Sequence, residues 1–149
     1  MSVHWTTHTA AQDGSRATYA QAVEGFDAAR FVRSLKQAGA GHCIFTLTHA
    51  EQYLALPCAP LEEILPGRTT GRDLIGEVAE GLAREGIRFI AYYNHSCNGE
   101  DDPAWKAACG YAAGEKGDLD AFAGRIAGIV RTKGRQRLSG SRFIFGKSG

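Results

Sequence analysis

Histidine, cysteine and carboxylate side chains cluster at the ends of the apolar runs of this sequence. VHW, HCIFTLTHAEQY and IRFIAYYNHSC place His4, His49, Glu51, His95 and Cys97 at or just beyond the last apolar residues, and Cys58 follows a short loop later. Imidazole and thiolate are the donors zinc prefers, so His49, Cys58, His95 and Cys97 form one candidate ligand set. HSC is not a standard ligand pair, and loops would have to bring the other two donors in. Glu51 is the carboxylate nearest these histidines, where it is either a reacting group or a solvated loop charge. Cys43 and Cys109 complete a set of 4 cysteines whose spacings match no disulfide framework and no CxxC motif, so reduced thiols are expected.

Whether these groups share a face depends on the elements that carry them. In FDAARFVRSLKQAGA, Asp27 is placed to N-cap a helix, Phe31, Leu35 and Ala38 recur at helical spacing, and Gly39 supplies the stop. HCIFTLTH then reads as a strand buried on both faces of a parallel sheet. The pattern repeats in TGRDLIGEVAEGLAREG, where Thr70 and Asp73 have capping-box-like spacing, Leu74, Val78 and Leu82 line one side, and Gly86 ends the helix before IRFIAYYNH. A third unit pairs DLDAFAGRIAGIVRTKG, with Leu119, Phe122, Ile126 and Ile129 on one face, with the strand RFIFG. TAAQDGSRATYAQAVEG is expected to be a polar connection. Trp105, on a short helix opened by Asp102 and Pro103, is expected to be a packing residue.

Strands alternating with helices predict right-handed βαβ units and a parallel sheet, in which the loops leaving the strand C-termini open onto one face. The windows to inspect are therefore 4–6, 48–53, 93–97 and Gly146 onward.

With 149 residues, 44% hydrophobic and 22% charged, the chain suits a single globular domain spanning 1–149. A net charge of +1 argues against nucleic acid or a membrane surface as partner, and the basic stretch from Arg125 to Arg142 is expected to be a solvated helix end and loop. The chain as written has no spanning run and no signal pattern, which places it in the cytoplasm unless a segment upstream directs it elsewhere.

The segment from Phe26 to His95 resembles the catalytic barrel of the α-L-fucosidases of glycoside hydrolase family 29. FDAARFVRSLKQAGAGHCIFTLTHAEQY is similar to the family's helix, glycine break and strand ending Thr-x-Lys-His-His-Asp-Gly-Phe. TTGRDLIGEVAEGLAREGIRFIAYY is similar to its Arg-Asp-Leu-x-x-Glu helix and Tyr-Tyr strand, and VHW to the His-Trp-Gly end of its first barrel strand. The resemblance implies an α/β fold, a partial (β/α)8 TIM barrel of about four parallel strands that starts within strand one and ends at strand four, since a full barrel takes about 250 residues. Open barrel edges would then invite a homo-oligomer.

The implied activity is retaining hydrolysis of an α-L-fucoside, without a cofactor. One carboxylate attacks the anomeric carbon, a second carboxylic acid protonates the departing oxygen, and water releases the sugar. The family's nucleophile is an aspartate at the end of strand four, where this chain has Gly146, and its acid/base lies in a later part of the barrel, so the expectation is a chain inactive alone. What the resemblance leaves is a substrate-binding wall of His4, Trp5, His49, Glu51 and Tyr53 facing a fucose-containing glycan or glycoside, with each imidazole offering one donor and one acceptor. The family's second histidine, Asp-Gly pair and nearby tryptophan are here Ala50, Glu51-Gln52 and Leu56. Three readings stay open: a fucosidase-like hydrolase fragment, a non-catalytic carbohydrate-binding or assembly module, and a zinc-binding hydrolase-like fragment.

Overall fold

Four strands pair in the order β1-β2-β3-β4, all parallel: β1 (Ser2–Val3), β2 (His42–Thr48), β3 (Arg88–Asn94) and β4 (Arg142–Gly146). This arrangement comes from a computed structural model, which describes residues 1–5, 13–49, 51–94, 103–108, 123–129, 131 and 142–146. Helices α1 (Tyr19–Glu24), α2 (Ala28–Gln37), α3 (Ala59–Ile64), α4 (Leu74–Arg84) and α5 (Pro103–Ala108) lie between the strands, and residues 123–129 are also helical. Expected and observed sheet agree in its parallel sense and in the three strands after the first. No helix among the described residues is long and apolar enough to cross a membrane.

The two faces of the sheet differ. Cys43, Phe45 and Leu47 of β2 and Phe89, Ala91 and Tyr93 of β3 are buried in one core with Val32, Leu35, Leu74, Ile75, Val78 and Leu82 from α2 and α4. On the opposite face Ile44, Ile90 and Tyr92 are only half-buried. Parallel sheets are ordinarily covered on both faces, so β2 and β3 present a second apolar surface beyond the helical layer. Burial raises the pKa of the Cys43 thiol, which keeps it protonated and inert within that layer.

Local chemistry explains the helix ends. Asp27 caps α2 by accepting from the Arg30 N–H at 2.8 Å, and Gly39 ends it with φ +69°, as the sequence predicts. The buried stripe is Val32 and Leu35 with Phe31 at its margin, while Ala38 lies exposed at the C-cap. Asp73, accepting from the Gly76 N–H at 2.8 Å, is the cap of α4; Thr70 instead donates its hydroxyl to the Arg72 carbonyl at 2.9 Å. The expected polar connection contains α1, closed by a capping box in which the Gln21 N–H donates to the Thr18 hydroxyl and the Thr18 N–H donates to the Gln21 side chain.

Arg-Asp-Leu at 72–74 acquires a physical meaning here. The Arg72 guanidinium donates to both Glu77 carboxylate oxygens at 2.9 and 2.6 Å and to the carbonyls of Val23 and Glu24 at 2.7 and 2.9 Å. One fork therefore stitches the C-terminus of α1 to the first turn of α4. Gly81 lets α2 lie close to α4, since a Cβ there would meet the Val32 Cγ2 at 2.9 Å. Trp105 is fully buried, as expected of a packing residue, and so is Ile129; Leu119, Phe122 and Asp102 lie outside the described residues.

Candidate functional site at the strand ends

Alternation along β2 would put His49 on the helix-covered side with Cys43, Phe45 and Leu47. A register shift between Thr46 and Thr48 prevents this: Thr46 pairs with Tyr92 but Thr48 with Tyr93, so one extra residue enters β2. Such a bulge reverses the alternation and re-aims the next side chain. His49 consequently turns towards His4, their ring centroids 6.2 Å apart and nearly perpendicular. Tyr92, on the same face through its pairing with Thr46, brings its ring to 6.3 Å from His4. His4 is exposed and His49 and Tyr92 are half-buried. Beneath them the Thr46 hydroxyl is buried and makes no hydrogen bond among the described residues.

Two imidazoles and a phenol from three adjacent strand ends thus share one open, polar face, with the buried Thr46 hydroxyl beneath it. Imidazole and hydroxyl groups both donate and accept, which suits a ligand rich in hydroxyls. Tyr92 and Thr46 are not among the residues the sequence points to at this face. The signal that could find them is period two: Thr46 pairs with Tyr92, and His4 directly follows Val3, the partner of Phe45.

Trp5 corrects an expectation. It is 6% exposed and packed edge-on against Tyr19 and Phe26 and stacked near Phe45, with centroids 5.1 to 6.5 Å apart. Adjacent strand residues point to opposite faces, so if His4 faces the open side Trp5 faces the helices. No ring face is left for a sugar. Burial pushes the Tyr19 hydroxyl's pKa up, opposed by the neighbouring Trp5 indole.

Tyr53 is half-buried between Tyr19, at 5.1 Å, and the Arg68 guanidinium, 4.7 Å above its ring. A tilted ring contact and a cation–π contact thus hold Tyr53 and the loop after β2. Glu51 is half-buried beside it, and its carbonyl accepts from Arg68. Arg68 thereby ties two of the expected wall residues to the loop 65–69, which Glu62 closes by accepting from the Gly67 N–H and the Thr69 hydroxyl, both at 2.6 Å. Those two hydrogen bonds hold the Glu62 carboxyl below its usual pKa.

Gln52 organises the turn. It is the one non-glycine residue with a left-handed backbone among the described residues, φ +56°, and it is completely buried. Its backbone N–H and its amide Nε2 both donate to the His49 carbonyl, at 2.8 and 2.9 Å, and Nε2 also donates to the Asn94 carbonyl at 2.9 Å. The Tyr93 hydroxyl donates to its Oε1 at 3.0 Å, and the Thr48 hydroxyl completes the Asn94 carbonyl at 2.8 Å. A non-glycine residue in this region of backbone space is strained by about 1 kcal/mol or more, which the hydrogen bonds offset.

Among the described residues no three His, Cys, Asp or Glu side chains converge as a metal site. Of the candidate zinc ligands, Cys58 is buried at the N-cap position of α3, and His95 and Cys97 lie outside the described residues. Gly146, the position expected for a nucleophile, ends β4 in register with Asn94.

A parallel α/β sheet carrying its polar groups at the strand C-termini belongs to the class of folds that builds sites from strand-end loops. No protein-family model and no curated protein matches the chain. Solved structures do: an α-L-fucosidase of glycoside hydrolase family 29 from Bacteroides thetaiotaomicron shares 22% identity at a TM-score of 0.58, covering 81% of this chain and 27% of that one. α-L-Fucosidase isoenzyme 1 from Paenibacillus thiaminolyticus shares 18% at 0.59, over 84% and 31%. A bacterial fucosidase with a monovalent iminocyclitol inhibitor shares 14% at 0.56, over 85% and 30%. The chain is thus similar in fold to α-L-fucosidases and spans less than a third of the length of each of these three.

Proposed function

We propose that the chain is the β1–β4 half of a fucosidase-like (β/α)8 barrel whose strand-end face supplies part of the wall that holds a fucose-containing glycan or glycoside. The observation that carries this reading is the bulge in β2, which turns His49 out of the helical layer to meet His4, whose ring also lies beside Tyr92. His4 and His49 exchange hydrogen bonds with sugar hydroxyls, and Tyr92 supplies a phenol and a ring edge. Glu51 and Tyr53 shape the rim through the Arg68 clamp rather than by stacking on the sugar.

Retaining hydrolysis needs a carboxylate nucleophile and a second carboxylic acid. A Bacteroides thetaiotaomicron fucosidase similar to this chain was trapped as a covalent intermediate with 2-fluoro-fucosyl fluoride, which fits that chemistry in the neighbour. Here Gly146 stands at the end of β4, so these residues bind the sugar and do not cleave it. The remaining barrel wall would come from further polypeptide or from a second copy pairing along the β1 and β4 edges.

An activated aryl α-L-fucoside incubated with the purified 149-residue polypeptide is expected to release no aryl alcohol above the uncatalysed background. Turnover that disappears in Glu51→Gln would contradict the reading, because a carboxylate outside β4 would then be doing the chemistry.

A further inference from the structure

We infer that Gln52 is a positioning residue for His49, a device that rests on the sugar-wall reading above. The pairing of β2 with β3 ends at Thr48 and Tyr93, one residue before His49 and Asn94, whose carbonyls Gln52 holds. Its Nε2 spans them, donating to His49 on one strand end and Asn94 on the next, at 2.9 Å each. The amide is therefore a rung added beyond the end of the ladder.

Each end of this rung is held twice. The His49 carbonyl receives the Gln52 backbone N–H as well, at 2.8 Å, and the Asn94 carbonyl receives the Thr48 hydroxyl, at 2.8 Å. The amide cannot swivel, because Tyr93 donates to its oxygen at 3.0 Å and the side chain is wholly enclosed. A glycine would adopt φ +56° without strain, so what the side chain adds over glycine is the brace itself. Strained residues persist where their surroundings over-determine them, and here the surroundings are the backbone of His49 and the strand that bears Tyr92. Fixing that carbonyl fixes the course of the chain at His49 directly after the bulge, and so the direction of its imidazole towards His4.

The test uses Gln52→Gly, which keeps the turn and deletes the brace, and Tyr93→Phe, which leaves the amide in place and removes the bond that orients it. NMR of the histidine and tyrosine rings in the 149-residue chain reads the cross-peak between the His4 and His49 rings, with His42 at the far end of β2 as an internal control. Both variants are expected to weaken that cross-peak, Gln52→Gly by more than half, with the His42 signals unchanged, and L-fucose affinity is expected to fall about fivefold or more in Gln52→Gly. A cross-peak of full strength in both variants would overturn the inference, as would a loss shared equally by His42. Should Gln52→Gly not fold, Tyr93→Phe decides alone. If the unaltered chain binds no fucose while the cross-peak still collapses in the variants, the brace stands and the sugar-wall reading falls.

Discussion

Trp5→Ala is expected to lower the free energy of unfolding by about 3–5 kcal/mol, the largest effect of any single substitution considered for this chain. Its indole touches α1 through Tyr19, the turn before α2 through Phe26, and β2 through Phe45, so the cavity left behind borders three elements and cannot collapse cheaply. Tyr19→Phe is the informative partner. The Tyr19 hydroxyl is buried without a hydrogen bond of good geometry among the described residues, so replacing it with hydrogen should change stability by less than about 1 kcal/mol, or raise it. Urea denaturation followed by circular dichroism measures both. A Trp5→Ala variant as stable as the parent would mean that the indole is free of the core and available to a sugar ring after all.

Arg72→Ala is expected to remove about 2 kcal/mol, chiefly by deleting the two hydrogen bonds to the Val23 and Glu24 carbonyls, of which Val23 keeps the longer bond from the Phe26 N–H at 3.3 Å. The ion pair with Glu77 contributes the lesser share, because the Glu77 side chain is 46% exposed and solvent screens it. Glu77→Gln should therefore cost well under 1 kcal/mol. Arg72→Lys should recover less than half of the loss, since an ammonium cannot reach four acceptors in a planar fork. The hydrogen bonds from Arg72 hold the Glu77 carboxyl below its ordinary value of 4.5. A carboxyl whose folded-state pKa is depressed contributes its stabilisation above the unfolded value and loses it as the pH falls through the folded one. The ion-pair share of the Arg72→Ala deficit should accordingly be full near neutrality and fade on acidification, while the carbonyl share persists.

The parts of this fold legible in the sequence are those where a local signal and the tertiary packing agree. Asp27 capping α2, Gly39 ending it, and the apolar runs of β2 and β3 all depend on neighbours in sequence, and the structure keeps them. The connection before Phe26 went the other way. Thr18-x-x-Gln21 is a capping-box signature, but its helix is six residues long and small side chains dilute its apolar period, so composition outweighed the cap. α3 is equally short and begins with a proline, and no periodicity could develop within it.

The site was half legible for a different reason. Proximity to a strand end selected His4 and His49, but it also selected Trp5, which period two assigns to the opposite face. Tyr92 lies inside an apolar run, where the sequence gives no sign that it faces His4; the ring contact between the two shows it. The bulge that makes His49 available has no signature in the residues around it. Gln52 is the extreme case: nothing in its side chain announces a left-handed backbone, and its role follows entirely from two carbonyls brought within reach by the pairing of β2 with β3.

The central claim is that the strand-end face formed by His4, His49 and Tyr92 holds a fucose ring. The most direct measurement is a titration of the 149-residue chain with L-fucose, followed through the ring resonances of its histidines and tyrosines. Saturable shifts at His4, His49 and Tyr92, with His42 at the opposite end of the sheet unmoved, are the predicted result. Rings at His4, His49 and Tyr92 that stay unmoved at sugar concentrations far above those in which such sites ordinarily fill, or shifts confined to residues elsewhere, would contradict it.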